Sequence, residues 1–469
     1  MAASLVFFAS LQLAALAGAG TTVVHYPPNA SNINNLTFVL NGTGAPGIFN
    51  SSVTPEKDYG EYNWCNMPHV RVQEYKTPSK DYILEYVEII QRHHKRTPYA
   101  SNTFFKEDIT WSCDGEGPVV YGKGPSGTSS DVSVIQWSAY TDSQNPWTNT
   151  VGPGFVGTNC QLPQITSGGL EDSHEHGADI RAVYAERLGL GETYDETTNQ
   201  IRVTNNVITS QVAGALVKGL FPLTTDLSVL LQSDTYDSLE PVYSCPTANS
   251  LFTSYTTDSA NWTDHLTAAS PLYAKLDAVS GTSNPDSGGW HTSFDHYYDN
   301  LSAKLCHGKP LPCSVNDTSL CVTMDEANEV FRLGNWEYSY YYRDAPASTQ
   351  YSALHYGVFF LELKAHLEAA MDGGKIKYFH NIAHDGSVSP VLGFLQIATM
   401  VWPGMGSEVV FELYKNAEKS YFMRVLWGGQ PMVTSTPMGT LDMLPVQTFF
   451  DYIDSMVGSG AELLSACGV

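Results

Sequence analysis

A run rich in β-branched and aromatic residues, Tyr82-Ile83-Leu84-Glu85-Tyr86-Val87-Glu88-Ile89-Ile90, leads almost directly into Arg92-His93-His94-Lys95-Arg96-Thr97-Pro98. This junction limits the fold more than any other feature of the sequence. The first half has the composition of a buried strand. The second half packs cationic side chains so tightly that they repel one another and call for an anion to offset them. A generic basic run is a solvated loop. This one follows a strand, and open α/β sheets bind their ligands at the carboxyl ends of strands. Arg92 and Arg96, with His93 and His94 between them, make a compact clamp of the kind that suits phosphate or sulfate.

The surrounding pattern fits such a sheet. Helices are expected over 169–187 and 207–220, with a short strand at 200–204 between them and Gly219 and Pro222 closing the second helix. Farther on, a helix should run from 351 to Met371 and stop at Gly373-Gly374. A strand over 375–382, a helix over 389–400 and strands at 408–414 and 421–427 follow. Strand and helix alternate at both ends of the chain, which predicts an α/β core with an insertion between its halves. Residues 223–350 are heterogeneous, with aromatic-rich helical stretches such as 325–335, and form that insertion. Residues 112–163 are dense in Gly, Ser, Pro and Asn and read as long loops.

Charge and cysteine usage narrow the function classes. Lys+Arg number 24 against 48 Asp+Glu, a formal net charge of −24. That balance argues against nucleic acid or an anionic membrane as partner and makes the few cationic clusters informative. The opening twenty residues, MAASLVFFASLQLAALAGAG, are an apolar block ending in small residues, read as a signal peptide over 1–19. Eight cysteines, none in a C-x-x-C pair, predict disulfides rather than zinc. Cys306, Cys313 and Cys321 are expected to pair within the insertion. Sequons begin at Asn29, Asn35, Asn41, Asn50, Asn261, Asn300 and Asn316. Residues from about 20 to 55 lack Asp, Glu, Lys and Arg, and read as a low-complexity, glycosylated lead-in. Together these features predict a soluble secreted glycoprotein.

A second motif, His384-Asp385, falls just after the 375–382 strand, at the equivalent end of the sheet. A His there can bond an anion, and a protonated Asp can give up a proton. Taken together, Arg92 to Pro98 and His384-Asp385 resemble the histidine acid phosphatases. These belong to the phosphoglycerate-mutase-like superfamily, the group of fungal phytases and prostatic-type acid phosphatases. The hallmark R-H-G-x-R-x-P is matched except at its glycine, and H-D is matched in full. Gly169, Gly177, Arg181 and Tyr184 also fit a G-x(7)-G-x(3)-R-x(2)-Y frame. Ile201 to Thr204, Gly219 to Pro222, Pro403 to Tyr414 and Tyr421 to Val425 resemble the family's flanking segments. Recognisable similarity covers under a third of the chain.

The resemblance implies an α/β/α sandwich core of the phosphoglycerate-mutase type with an inserted, mostly α-helical cap. Residues 76–222 and 351–469 would form the core, 223–350 the cap, and 20–75 an N-terminal extension. His93 matches the nucleophile that forms a phosphohistidine, and Asp385 the general acid. Arg92, Arg96 and His384 match phosphate ligands. No metal or other cofactor is needed, because arginines supply the positive charge. An unperturbed Asp has a pKa near ~3.9, so an acidic pH optimum is expected. The implied activity is hydrolysis of small phosphate monoesters. The alternatives are a catalytically silent member serving as a secreted binding or signalling protein, and a phytase. Phytate would require a basic cleft, which so acidic a chain supplies only locally.

Two departures stand out. The family glycine is His94, which must either face the pocket or impose a different turn. The family's further clamp arginine, in R-x-T-x(3)-R-[TV], falls on Ile208 after a fitting Arg202 and Thr204, and Lys95 is the nearest candidate replacement. Other patterns carry less. Gly117 to Gly124 nearly spells a P-loop but lacks its Ser/Thr. His174-Glu175-His176 has no metal-ligand spacing and reads as a solvated helix face. No G-x-S-x-G elbow occurs.

Overall fold

The computed structural model describes residues 23–45, 64–99, 108–113, 119–123, 132–136, 139–150, 152–225, 227–282 and 288–469. The expected signal peptide and the Asn50 sequon lie outside these residues, and the P-loop-like run is described only over 119–123.

The sheet is built around β1 (Tyr82–Arg92), whose last seven residues are all buried. A strand buried on both faces needs neighbours on both edges and helices above and below, and β1 has them. The other strands are β2 (Val119–Lys123), β3 (Val132–Gln136), β4 (Asn199–Val203), β5 (Leu230–Leu231), β6 (Tyr378–Ala383), β7 (Glu408–Asn416), β8 (Tyr421–Trp427), β9 (Gln430–Pro431) and β10 (Leu444–Pro445). The main sheet has the order β10-β8-β7-β1-β6-β4-β5, with β9 on β8, while β2 and β3 form a separate hairpin within the stretch expected to be loops. From β1 through β6 and β4 to β5 the strands are parallel, and on the other side β7, β8 and β10 are antiparallel. Arg92 stands in register with Ala383, and Val203 with Ile382, so the loops leaving β1, β4 and β6 open at one edge of the sheet.

The early helices are α1 (Leu36–Asn41), α2 (Pro153–Val156), α3 (Ser167–Leu188) and α4 (Val207–Leu220). Between β5 and β6 come α5 (Pro246–Tyr255), α6 (Ala260–Ala268), α7 (Ser270–Ser280), α8 (Asp295–Cys306), α9 (Met324–Ser339), a π-helical turn at Tyr340–Asp344, and α10 (Ser348–Met371). The chain closes with α11 (Asp385–Phe394), α12 (Val446–Val457) and α13 (Gly460–Cys467). Ile180 and Val183 of α3 and Val212 and Leu216 of α4 pack on one sheet face with Val87, Ile89, Ile201 and Ile382. On the other face Phe360 of α10, Val391 of α11 and Phe449 of α12 join Tyr86, Ile90, Phe379 and Phe411. The result is the expected α/β/α sandwich. The glycines of the sequence frame explain how closely α3 and α4 approach. A Cβ on Gly177 would lie 2.1 Å from the Leu216 carbonyl oxygen, and one on Gly219 would lie 2.0 Å from that of His174.

Several expectations require correction. The helix read over 389–400 begins earlier, at Asp385, because His384 is already extended (φ −122°, ψ 172°) and serves as its cap. It ends at Phe394, and Gln396 turns into the left-handed region at φ 51°. The lead-in is packed into the fold over its described part. Asn35 caps α1, and Val39 on α1 is buried. Arg332 donates to the Val39 and Gly44 carbonyls, and Arg343 to that of Tyr26. Cys306 pairs not within the insertion but with Cys65, alongside Cys113–Cys160, Cys245–Cys467 and Cys313–Cys321. Four disulfides fit folding in an oxidising compartment. Among the described residues no helix is long and apolar enough to cross a membrane. The sequon at Asn300 is closed to a glycan, since that side chain is buried in α8.

Ile208, where the family places a clamp arginine, is fully buried in the first turn of α4 among the side chains beneath the sheet. Its direction is that of a core residue. Replacing it with arginine would bury an unpaired charge. Ile208→Arg is therefore expected to cost about 3 kcal/mol or more of stability, read as a lowered denaturant midpoint.

Candidate active site

The site lies where the ends of β1 and β6 meet. A cleft of about 340 Å³ is lined by His93 and Arg96 from the loop after β1, by His384 after β6 and by Asp385, Gly386 and Ser387 from the first turn of α11. Tyr99, Glu240, Pro241, Tyr342 and His355 complete its wall. The two motifs, almost three hundred residues apart, are brought together because β1 and β6 are adjacent parallel strands. The rings of His93 and His384 meet edge to face with centroids 5.4 Å apart. Arg92 stands behind this wall rather than on it. Its Nη2 lies 3.0 Å from Asp385 Oδ2, and its Nη1 donates to the Pro403 carbonyl.

The tautomer of His93 follows from its contacts. Its Nδ1 is 2.9 Å from the backbone oxygen of His94. A carbonyl can only accept, so Nδ1 carries the proton and Nε2 the lone pair. Burial, then Arg96, Arg92 and His384, hold His93 well below the usual imidazole range. The ring is neutral even in acid.

Arg96 donates from Nη2 to Asp299 Oδ1 at 2.7 Å, and its guanidinium lies over the Tyr99 ring at 4.3 Å. The Nε atoms of Arg92 and Arg96 are both buried without a partner in the structure. Buried guanidinium donors left over in this way are what an anion would satisfy. Burial alone would raise the Asp385 carboxyl, but Arg92, the Trp402 indole, His384 and Arg96 together hold it below its ordinary value. The Trp402 Nε1 donates to Asp385 Oδ2 at 2.6 Å. His384 is lowered by burial, and its Nε2 lies 3.0 Å from Thr204 Oγ1 and 3.5 Å from a Glu240 oxygen. Among the described residues no group of three or more His, Cys, Asp and Glu could hold a metal ion.

The structure resolves the two departures. His94 turns away from the cleft, with Nε2 3.1 Å from His176 Nδ1. His176 in turn reaches Glu408 at 2.9 Å. Room for the His94 ring comes from Gly406, where a Cβ would lie 2.5 Å from His94 Cε1. Hence His176 is buried rather than on a solvated helix face, while His174 and Glu175 are exposed. Lys95 does not replace the missing arm, because its Nζ is paired with Asp172 at 2.9 Å. Arg202 points elsewhere too, to Asn381 and Glu362.

Sequence reasoning missed Trp402, Asp299, Glu240, Tyr99, Tyr342 and His355. Trp402 is held between Tyr298 and Tyr338, with ring centroids 3.9 and 3.8 Å away. Its place just before the flagged Pro403 was the one signal that could have found it. Asp299 and Glu240 sit in stretches whose pattern says nothing of which way they face.

No family model matches the chain. It is 26% identical over 184 residues to human 2-phosphoxylose phosphatase 1, covering 36% of this chain and 38% of that protein. The same protein from Danio rerio is 24% identical over 186 residues, covering 33% and 37%. The chain thus spans about two-fifths of the length of these curated relatives. Among solved structures, Hafnia alvei phytase with myo-inositol hexakis sulphate superposes at a TM-score of 0.52, with 16% identity, over 82% of this chain and 99% of that one. Bifidobacterium longum multiple inositol polyphosphate phosphatase with inositol hexasulfate gives 0.50, with 11% identity, over 82% and 95%. The chain has the fold of the histidine acid phosphatases and phytases, the group its two sheet-end motifs resemble.

Proposed function

We propose that this chain is a secreted phosphatase that hydrolyses small phosphate monoesters through a phosphohistidine on His93, with residues 223–350 as a cap over the cleft. One observation carries the reading. A neutral His93, with its proton fixed on Nδ1 and its lone pair on Nε2, shares one cleft with Arg96, His384 and Asp385.

In the first step Nε2 of His93 bonds to phosphorus as the ester P–O bond breaks. The electron pair leaves with the alcohol oxygen, which takes the proton of Asp385. In the second, a water oxygen attacks phosphorus and gives its proton back to Asp385. The P–N bond then breaks, returning the lone pair to Nε2. Arg96 and His384 on the cleft wall bind the phosphoryl oxygens in both steps, and Arg92 behind them adds its positive charge to stabilise theirs. Asp385 needs its proton for the first step, yet Arg92 and Trp402 hold the free carboxyl ionised down to low pH. A phosphate dianion on the same guanidinium groups offsets that pull, so substrate binding itself raises the Asp385 pKa. Burial and the two arginines hold His93 well below the usual imidazole range, which keeps its lone pair free for attack.

A second reading, a member that binds phosphate esters without turnover, rests on Ile208 lying in the core and on Lys95 being paired with Asp172. The same measurements separate the two. His93→Ala is expected to lower kcat for p-nitrophenyl phosphate at least about a thousandfold, and undiminished turnover in that variant would end the mechanism. Asp385→Asn should cost about 10²- to 10⁴-fold with an alkyl phosphate and far less with p-nitrophenyl phosphate, whose leaving group needs little protonation. Trp402→Phe keeps the aromatic stack but removes the donor to Asp385. The carboxyl pKa then rises, so the basic limb of kcat/KM should move up by about one pH unit in a profile taken between pH 3 and pH 8.

A further inference from the structure

The charges around the cleft speak to the alcohol side of the substrate. Of the described residues on its wall, Arg96 alone carries a permanent positive charge, and Asp299 already faces it at 2.7 Å. Arg92 behind the wall is paired with Asp385. His93 and His384 are kept neutral by burial, as is His355, which burial lowers to about 4. On the open side of His384 stands Glu240, its side chain half-exposed and its carboxylate 3.5 Å from His384 Nε2. Asp237 and Asp234 stand near enough to help push Glu240 up to about 7, after burial and ahead of Asp385. Asp295, at the start of α8, is likewise raised to about 7 by burial, Asp385, Asp299 and Glu337. On the described wall the cleft is therefore bordered by the carboxyl groups of Asp385 and Glu240 and by the phenol rings of Tyr99 and Tyr342, with Asp237, Asp234 and Asp295 set behind it.

Resting on the phosphatase reading, we infer that Glu240 is a specificity residue. It selects esters with a single phosphate on a neutral, hydroxyl-bearing alcohol of the sugar or polyol class. Its carboxyl accepts a hydrogen bond from an alcohol hydroxyl whether or not it is ionised, and above about pH 7, where it has lost its proton, it also repels a second phosphate group. A carboxyl partner of this kind favours an uncharged polyol and works against a polyphosphorylated one, because among the described residues of the wall no further cation would balance the added anions. The tyrosine rings offer flat faces and neutral hydroxyls to the same group.

The test is binding by titration calorimetry on the full chain at pH 8, where Glu240 is ionised, with inorganic phosphate as the single-anion probe and myo-inositol hexakis sulphate as the polyanion. Wild type should bind the polyanion no more than about tenfold more tightly than phosphate. Glu240→Gln should raise that ratio, and Glu240→Lys should raise it by about tenfold or more at low salt, because a purely structural defect would weaken both probes alike. A wild-type preference for the polyanion of a hundredfold, or a ratio unmoved by either substitution, would overturn the inference while leaving the phosphatase reading intact. Failure of the wild type to bind inorganic phosphate at all would overturn both. The wild-type comparison needs no substitution, so the inference stays exposed even if a variant fails to fold.

Discussion

Two guanidinium groups almost withdrawn from water, Arg92 and Arg96, set the terms for everything else at the end of the sheet. A buried charge costs several kcal/mol unless something opposite meets it. Arg92 finds Asp385 from the neighbouring strand's loop, and Arg96 finds Asp299 from a helix 203 residues farther along the chain. The clamp therefore exists only when the sheet is paired and α8 is docked on it. These pairs also leave an Nε donor on each arginine unspent. The arrangement keeps the positive charge in place without a ligand and still has donors to offer one.

The loop that carries the clamp is held from behind as well. His94, His176 and Glu408 form a buried chain linking the loop to α3 and to β7. Val70 adds a backbone bond to Glu408 at 2.7 Å, and the His69 ring stacks on that of His176 at 3.9 Å. Burial keeps both His94 and His176 neutral, so the chain adds no positive charge behind the clamp. A side chain at the position of the family glycine is thus compatible with the loop, because Gly406 on the facing segment has given up its own Cβ.

Much of the core was legible because its periodicity is strong. The helix expected over 207–220 is α4 to the residue, and the strand expected at 421–427 is β8. Both are continuous apolar patterns ended by Gly, Pro or a turn, so local preference and burial agree. The start of α11 was misplaced because His384 and Asp385 were read as loop chemistry, whereas the same residues also cap and open the helix. The N-terminal segment was misread for a related reason. A stretch without charges looks like a tail until Arg332 and Arg343, far off in sequence, are seen to bind its carbonyls.

Within the site, His93, Arg96, His384 and Asp385 could be named from the sequence, because chemistry at a strand's end is written in short contiguous motifs. The sequence by itself determined the kind of sheet and, in two short motifs, which residues meet where β1 and β6 end. Only the tertiary structure decided which carboxylates oppose the arginines, that His94 and Ile208 face the interior, that Trp402 grips Asp385, and that Glu240 lines the cleft. The reason is physical. A motif fixes which groups are neighbours along the chain, but charge pairing and pKa depend on what burial brings within a few ångströms, and those partners arrive from other elements.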